Sequence, residues 1–389
     1  MSYKTVTEGL TKIWIPEPPQ DASFPPSSAS VFYNPEMELN RDITVVANAV
    51  FAQRLSAKYG LAPSDVKYAD ALAASGARGI RVSNETGLDT TLNDWNEEAY
   101  KLILKNAELN DVLDLTTVFS KNANVLLFEN RYDIVDLDPF GTPIPYLESA
   151  IYSTRHLLEI TATDTAPLCG AHLKSGIRKY SAVPLNNEYH REMGVRILLG
   201  KVAREFAKYD KAMIPILSHA TRHYVRTYLH VKKGAKRADD ALKYMGFISH
   251  CDKCGFRKTV YGLAVSIDNN CPLCGNKTSI GGPLWLGSLH ETDFCNEILQ
   301  EIDNHQLNKR ENTRKIITLC RDELEYPTYY DLHLICKRQG VSAVSMNRLI
   351  DLLIANGYSA SRTHFSGTSF KTDAGIDVIN DIVHSSFSR

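Results

Sequence analysis

Apolar residues recur at helical spacing between about 43 and 59, as Ile43, Val46, Ala47, Val50, Phe51 and Leu55. A strand–helix alternation follows. Short segments read as strands at Tyr68 to Leu72, Thr90 to Asp94, Leu115 to Phe119, Tyr132 to Leu137 (apolar and short) and Leu157 to Thr163. A helix over Asn96 to Asn110 carries Ala99, Leu102, Ile103 and Ala107 on one side. Strands alternating with helices predict βαβ units and a mostly parallel sheet, an α/β fold. Ahead of this lies a polar lead-in over residues 1–30 with Pro16, Pro18, Pro19, Pro25 and Pro26, where Thr5 to Glu8 is a possible edge strand. Beyond it, 188–209 reads as a helix and 213–233 as two strands, the second alternating Tyr224, Arg226, Tyr228, His230. From about 288 the texture is helical. Ser345 to Asn356 is apolar on one face and stops at Gly357, and Tyr358 to His364 with Ser369 to Thr372 reads as a hairpin turning near Gly367. Helix, helix and hairpin at this size suggest a winged helix.

Composition narrows the class without choosing a function. The 389 residues are 43% hydrophobic and 23% charged, enough for two or three domains with their own cores and unlike a collagen, a disordered chain or a disulfide scaffold. No apolar run reaches the roughly 20 residues of a membrane span, and the first twenty residues lack a basic-then-apolar pattern, so a cytoplasmic protein is expected. Net charge is −1, so any nucleic-acid partner must be recognised by local charge.

Three features carry chemistry. Asp70-Ala71-Leu72-Ala73-Ala74-Ser75-Gly76-Ala77-Arg78-Gly79 follows a predicted strand and opens a helix, a place where backbone can approach an anionic ligand. Asp94, 18 residues beyond Gly76, ends the next strand, where a carboxylate can accept both hydroxyls of a ribose; the bland alternative is a helix N-cap. Together they fit a dinucleotide or S-adenosylmethionine fold. Asp138-Pro139-Phe140-Gly141 follows the fourth strand of the alternation and is similar to the Asp/Asn-Pro-Pro-aromatic loop of amino-methyltransferases. An exocyclic amine is a poor nucleophile because its lone pair is delocalised. A carboxylate can accept its hydrogen, and an aromatic ring such as Phe140 can stack on the base; the bland reading is a proline turn with Phe140 in the core.

These motifs combine with Phe32-Tyr33-Asn34-Pro35, Asn40-Arg41-Asp42, Gly79-Ile80-Arg81 and Thr163-Asp164-Thr165-Ala166-Pro167-Leu168. The set resembles the tRNA (guanine-26-N2) dimethyltransferase family in its compact archaeal-like form, from Phe32 through the cysteine pairs. The resemblance implies a class I, Rossmann-like S-adenosylmethionine methyltransferase domain. It implies methylation of the N2 amine of a guanine where the D and anticodon stems of tRNA meet. It places Arg41 and Arg78 on the donor, leaving Arg81 as an alternative to Arg78, with Asp94 on the ribose and Asn122-Ala123 beside the adenine. It makes Asp138 the catalytic carboxylate, with Pro139 and Phe140 in the base pocket. Two positions depart from the pattern: Asn122 stands where an acidic residue is common, and the aromatic of the Asp-Pro-Phe-Gly loop comes one place early.

Cys251-x2-Cys254 and Cys271-x2-Cys274, separated by 16 residues and each followed by glycine, have four-thiolate Zn2+ spacing. With no open position, that zinc would be structural. Between Lys211 and Ala238 there is no acidic residue, while Arg222, Arg226, Lys232, Lys233, Lys236 and Arg237 are interleaved with Tyr224 and Tyr228, a pattern suited to RNA; a solvated strand face is the bland reading. Lys309, Arg310, Arg314 and Lys315 extend the track, and His219, His223 and His230 are expected on the strand surface or facing RNA. The expected division is a methyltransferase domain at 1–235, a zinc-ribbon-like four-cysteine module at 236–286 and a winged-helix-like α+β RNA-binding domain at 287–389. The partner is tRNA, with no membrane; oligomeric state is open and a monomer is compatible. Two other functions fit the same residues: an amino-methyltransferase acting on another RNA or DNA, and a non-catalytic zinc and winged-helix nucleic-acid binder.

Overall fold

In the computed structural model, which describes residues 3–17 and 30–385, the chain opens on an antiparallel hairpin of β1 (Tyr3–Glu8) and β2 (Thr11–Pro16). The expected edge strand is thus one arm of a pair. Pro18, Pro19, Pro25 and Pro26 lie outside the described residues. There follow α1 (Glu38–Tyr59), β3 (Lys67–Asp70), α2 (Ala77–Thr86), β4 (Asp89–Asn93), α3 (Glu97–Leu109), β5 (Thr116–Phe119), α4 (Ala123–Glu129), β6 (Tyr132–Leu137), α5 (Leu147–Ser153) and β7 (Thr154–Ala162). The five strands β3 to β7 are parallel in the order β5-β4-β3-β6-β7. The alternation read from the sequence is therefore the observed one. Register brings Asp70 beside Leu92 and Asp136, and Asn93 beside Phe119, so the carboxyl ends of the strands share one edge.

The remaining elements are α6 (Thr165–Leu168), α7 (Leu173–Tyr180), α8 (His190–Ala207), β8 (Lys211–Thr221), β9 (Tyr224–Lys233), α9 (Ala235–Leu242), β10 (Met245–His250), β11 (Arg257–Tyr261), β12 (Ser279–Trp285), α10 (Thr292–Glu301), α11 (Arg310–Asp322), β13 (Tyr330–Asp331), α12 (Leu332–Gln339), α13 (Met346–Ala355), β14 (Ala360–Arg362), β15 (Ser369–Thr372) and α14 (Ile376–Ser385). The chain divides into two compact units. One comprises Met1–Ala162, Thr227–Val231 and Thr292–Thr318; the other comprises Thr163–Arg226, Lys232–Glu291 and Leu319–Arg389.

In the first unit, β2 alternates buried and exposed residues, and Ile13 and Ile15 pack with Ala73, Ala77, Ile80, Leu92, Ile103 and Ala107. Each buried isoleucine contributes about 1.5–3 kcal/mol relative to exposure, so the hairpin is held by the same apolar surface that fixes α2 and α3. Asn106, buried on α3, accepts from the Trp14 backbone N–H and donates to the carbonyls of Trp14 and Ser75. In the second unit, a three-stranded antiparallel sheet runs β11-β10-β12 and another runs β13-β15-β14. The latter sheet packs with α12, α13 and α14 around Leu349, Leu353, Phe370, Ile376, Ile379 and Val383. Ser345 caps α13 by accepting from the Arg348 N–H, and the expected hairpin is β14 with β15.

Candidate active site and metal centre

The turn after β3 sets the site. Gly76 sits at φ +78°, and a Cβ there would lie 2.9 Å from Ile80 Cδ1. At Gly79 a Cβ would lie 2.8 Å from Leu92 Cδ2 and 3.2 Å from Asp70 Cβ. The second glycine is thus required by the approach of α2 to the sheet, rather than by approach to a ligand. Asp70, at the end of β3, accepts from the Gly79 N–H at 3.1 Å. Burial pushes its carboxyl up, Asp136 adds to this, and the result is about 7.

Arg78, on the first turn of α2, is 5% exposed and gathers the polar groups of the strand ends. Its Nη1 donates to Asn40 Oδ1 at 2.8 Å and to Thr44 Oγ1 at 2.7 Å. Its Nη2 donates to Asp138, and its Nε lies 3.5 Å from Asp136 Oδ2. Asp136 in turn accepts from the Tyr68 hydroxyl at 3.1 Å. Asp138 is partly open, with 22% of its side chain exposed, just past the end of β6. Pro139 is buried beside it. Phe140 is 77% exposed and meets Phe32 edge-on, with ring centroids 5.7 Å apart. The core reading of Phe140 is therefore excluded: a large ring is held in water next to a carboxylate.

Arg41 and Arg81 are differently engaged. Arg41 donates from Nε and Nη2 to both oxygens of Glu8, at 2.7 and 2.5 Å, and from Nη2 to the Asn34 carbonyl. Tyr33 also donates to Glu8. Burial pushes the Glu8 carboxyl up, but the Arg41 charge and hydrogen bonds, with help from Tyr33 and Arg81, outweigh it and bring it down to about 2. Arg81 is fully buried, donating to Asp42 at 2.6 Å and Glu85 at 2.8 Å, with Glu8 at 3.4 Å. Of the two arginines the sequence left open, Arg78 faces Asp138 and Arg81 is enclosed by carboxylates.

Asp94 lies one residue past β4. Its Oδ2 accepts from the Ala74 N–H and its Oδ1 from the Asn96 N–H, both at 2.9 Å, and burial raises its carboxyl from the ordinary value. The α3 cap is supplied by Asn96, which accepts from the Glu98 N–H. Trp95 follows, 80% exposed. Asn122 caps α4, accepting from the Asn124 N–H, and Ala123 is buried. Sequence reasoning passed over Asn93. It is fully buried, donates to the Ala71 and Lys121 carbonyls and accepts from the Lys121 N–H, tying three strand ends together. No local signal marked it, because β4 is mostly polar and Asn93 is one polar residue among several.

In the second unit the four cysteine sulfurs lie within 4.8 Å of one another, with Cys251–Cys274 and Cys254–Cys271 at 3.5 Å. Disulfide bonding needs about 2.05 Å, whereas a tetrahedron of thiolates with Zn–S of about 2.3 Å has edges near 3.8 Å. Both pairs are built alike: the Gly255 N–H reaches the Cys251 carbonyl and the Gly275 N–H reaches the Cys271 carbonyl, each at 2.9 Å. The donor set fits zinc. Asp164, of the Thr163-to-Leu168 motif, accepts from Lys179 Nζ and the Tyr180 hydroxyl.

The basic track is only partly a surface. Tyr224, Arg226 and Tyr228 are buried, as are all residues from Tyr224 to Leu229, so both faces of this stretch are covered. Lys211 is also buried, while Arg222, Lys233, Lys236 and Arg237 are exposed. Lys309 pairs with Glu38, and Arg310 and Arg314 pair with Asp303. His219, expected at the surface, is fully buried, and His230 is half-buried against Phe51; His223 is exposed. Alternation of cations and tyrosines cannot distinguish a solvated strand from one covered on both faces.

Sheet, glycine turn and acidic strand ends together define a Rossmann-like methyltransferase. Trm1 from Pyrococcus horikoshii, solved in complex with S-adenosyl-L-methionine, superposes with a TM-score of 0.85 at 35% identity, covering 98% of this chain and 99% of that one. A profile described as N2,N2-dimethylguanosine tRNA methyltransferase matches residues 11–384, and the chain belongs to that family. It is 58% identical over 383 residues to the tRNA (guanine(26)-N(2))-dimethyltransferase of Methanosarcina barkeri, covering 98% of this chain and 99% of the relative. It is 43% identical over 376 residues to that of Haloarcula marismortui, covering 97% and 98%. No helix among the described residues is long and apolar enough to cross a membrane.

Proposed function

We propose that this protein methylates the exocyclic N2 amine of guanine 26 in tRNA, giving N2-methylguanosine and N2,N2-dimethylguanosine in the cytoplasm, with S-adenosyl-L-methionine as donor. The observation that carries the reading is Asp138, partly open just past the end of β6, fixed by Arg78 and flanked by the exposed ring of Phe140. Asp138 accepts a hydrogen bond from the amine, which localises the nitrogen lone pair, and takes its proton as the new N–C bond forms. Phe140 and Pro139 bound the base. Fixing the carboxylate before the base arrives removes an orientation cost from the reaction.

The residues present fit the donor, which when bound supplies an electrophilic methyl on a sulfonium. Each oxygen of Asp94 accepts one backbone N–H and retains a lone pair for a ribose hydroxyl. Asn40 Nδ2 is buried without a hydrogen-bond partner, near the Arg78 guanidinium. Arg78 and Arg41 are assigned to the carboxylate end, Arg41 sharing its guanidinium with Glu8, and Asn122-Ala123 to the adenine side. By function, residues 1–235 are assigned to the methyltransferase domain, 236–286 to a zinc-ribbon-like module with structural Zn2+ on Cys251, Cys254, Cys271 and Cys274, and 287–389 to a winged-helix-like RNA-binding domain, a division that differs from that into compact units, in which 163–226 group with 232–291 and 319–389. Within the last, the packing of the β13-β15-β14 sheet with α12, α13 and α14 supports the winged-helix reading.

The test uses purified protein, radiolabelled donor and unmodified tRNA transcripts with guanine or adenine at position 26. Label is expected in N2-methylated guanosines and is lost with adenine; label that persists moves the activity to another nucleotide. Asp138→Ala is expected to abolish turnover with donor affinity, read by calorimetry, largely intact. Unchanged turnover would remove Asp138 from the mechanism.

A further inference from the structure

Apart from the four cysteines, the second unit holds another set of ligating atoms. One atom from each of His290, Cys320 and His364 lies within 4.8 Å of the other two. His290 precedes α10, Cys320 is in the last turn of α11, and His364 lies between β14 and β15. Cys320 and the His364 side chain are about 1% exposed and the His290 side chain is 9% exposed.

A single carboxylate orients both imidazoles. Glu323 Oε1 is 2.7 Å from His290 Nε2, and Glu323 Oε2 is 2.9 Å from His364 Nδ1. A carboxylate only accepts, so in both rings the nitrogen facing Glu323 carries the proton. The other nitrogens, His290 Nδ1 and His364 Nε2, therefore present lone pairs. Their partners are backbone N–H groups of Ser218 and Ala220 on β8, both at a long 3.4 Å. A histidine whose second nitrogen is anchored on a carboxylate is the usual form of a metal-ligating histidine. Glu323 is itself fixed by the Thr363 hydroxyl at 2.6 Å and the His364 N–H at 3.1 Å. Nearby His219 is fully buried, and its Nε2 has no hydrogen-bond partner.

We propose that His290, Cys320 and His364 form a second metal centre for a borderline-soft d10 cation such as Zn2+, with Glu323 as the carboxylate that positions both histidines. Two nitrogens and one sulfur match the ligand preference of zinc, and three protein ligands leave a fourth position for water or His219. Local charge is compatible. Lys371 lies 3.5 Å from Glu323 and 3.3 Å from Glu192, and Arg196 pairs with Glu192 at 2.8 Å. These two cations balance the two carboxylates, and the Cys320 thiolate offsets part of the incoming charge. Coordination forms the Cys320 sulfur–metal bond and releases the thiol proton to solvent. The ion would join three segments distant in sequence beside β8.

The test is metal content of the full-length protein, incubated with excess Zn2+, desalted and measured by mass spectrometry of the metal. Two ions per chain are expected. Cys320→Ser and His364→Gln are each expected to retain one, as is the double variant Cys271→Ser/Cys274→Ser, which disables the other site. One ion in the wild type, or two ions in both Cys320→Ser and His364→Gln, overturns the proposal; the three histidine and cysteine side chains would then serve only to pack and hydrogen-bond beside β8. A reading that does not depend on the Cys320 and His364 variants folding comes from Co2+ loaded into Cys271→Ser/Cys274→Ser. A tetrahedral spectrum with thiolate charge transfer that is abolished by adding Cys320→Ser supports the centre. Absence of bound Co2+ with that signature in the double variant overturns it.

Discussion

Asp70 shows what burial does to a single carboxyl at a strand end. Its folded value of about 7 lies above the ordinary 3.8 because burial and the neighbouring Asp136 both disfavour the charge. A raised carboxyl value gives stability that is fully present below about pH 4 and is lost as pH rises to about 7, because the unfolded chain releases the proton first. Asp70→Asn stays neutral throughout and still offers an acceptor to the Gly79 N–H. The variant is therefore expected to gain stability over wild type at pH 8, with the gain shrinking toward pH 4, as read from urea midpoints at several pH values. A gain independent of pH would show that Asp70 titrates normally. Asp138, two residues beyond Asp136, reaches solvent, with 22% of its side chain exposed, and can meet a substrate.

At the scale of elements, the N-terminal hairpin and helices α1 and α2 are joined by charge. Glu8 of β1, Asp42 of α1 and Glu85 of α2 converge on Arg81. Removing one member strands the others, which for a buried pair costs about 3–5 kcal/mol. Arg81→Met is expected to lower the unfolding free energy by about that amount, and Arg81→Lys by less; equal midpoints for wild type and Arg81→Met would refute this. The strands of the parallel sheet were legible because short segments of strand character alternate with helical patterns, although only β6 is mostly apolar. The hairpin was read as a lone edge strand because its apolar partners, Ile80, Leu92 and Ile103, lie far along the chain. The β9 stretch misled for a related reason. Its cations and tyrosines alternate as on a surface strand, and only the tertiary structure covers both faces. Likewise the strand-end positions of Asp94 and Asp138 and the closeness of the four cysteines were legible from type and spacing, whereas the Arg78 grip on Asp138 and the hydrogen bonds of Asn93 depend on which strand ends meet.

For the whole molecule, a net charge of −1 gives no long-range pull toward an anionic partner. Local cations such as Arg222, Lys233, Lys236 and Arg237, all exposed, are expected to make the contact. Log affinity for tRNA is expected to fall linearly with log salt, by about 0.7–0.9 per phosphate neutralised. Replacing Lys236 and Arg237 with alanine is expected to make that slope shallower, as measured by filter binding across a salt series; an unchanged slope would place the contact elsewhere. The three tryptophans also have distinct optical surroundings. Trp285 is buried at 4% exposure, Trp14 is 38% exposed, and Trp95 stands 80% in water directly after Asp94. The protein therefore carries its own fluorescent reporter. Trp95 should emit toward the red and be quenched by iodide in the free protein, and a nucleoside held by Asp94 should shield it, so that Trp95→Phe silences the change and donor occupancy can be followed by light alone.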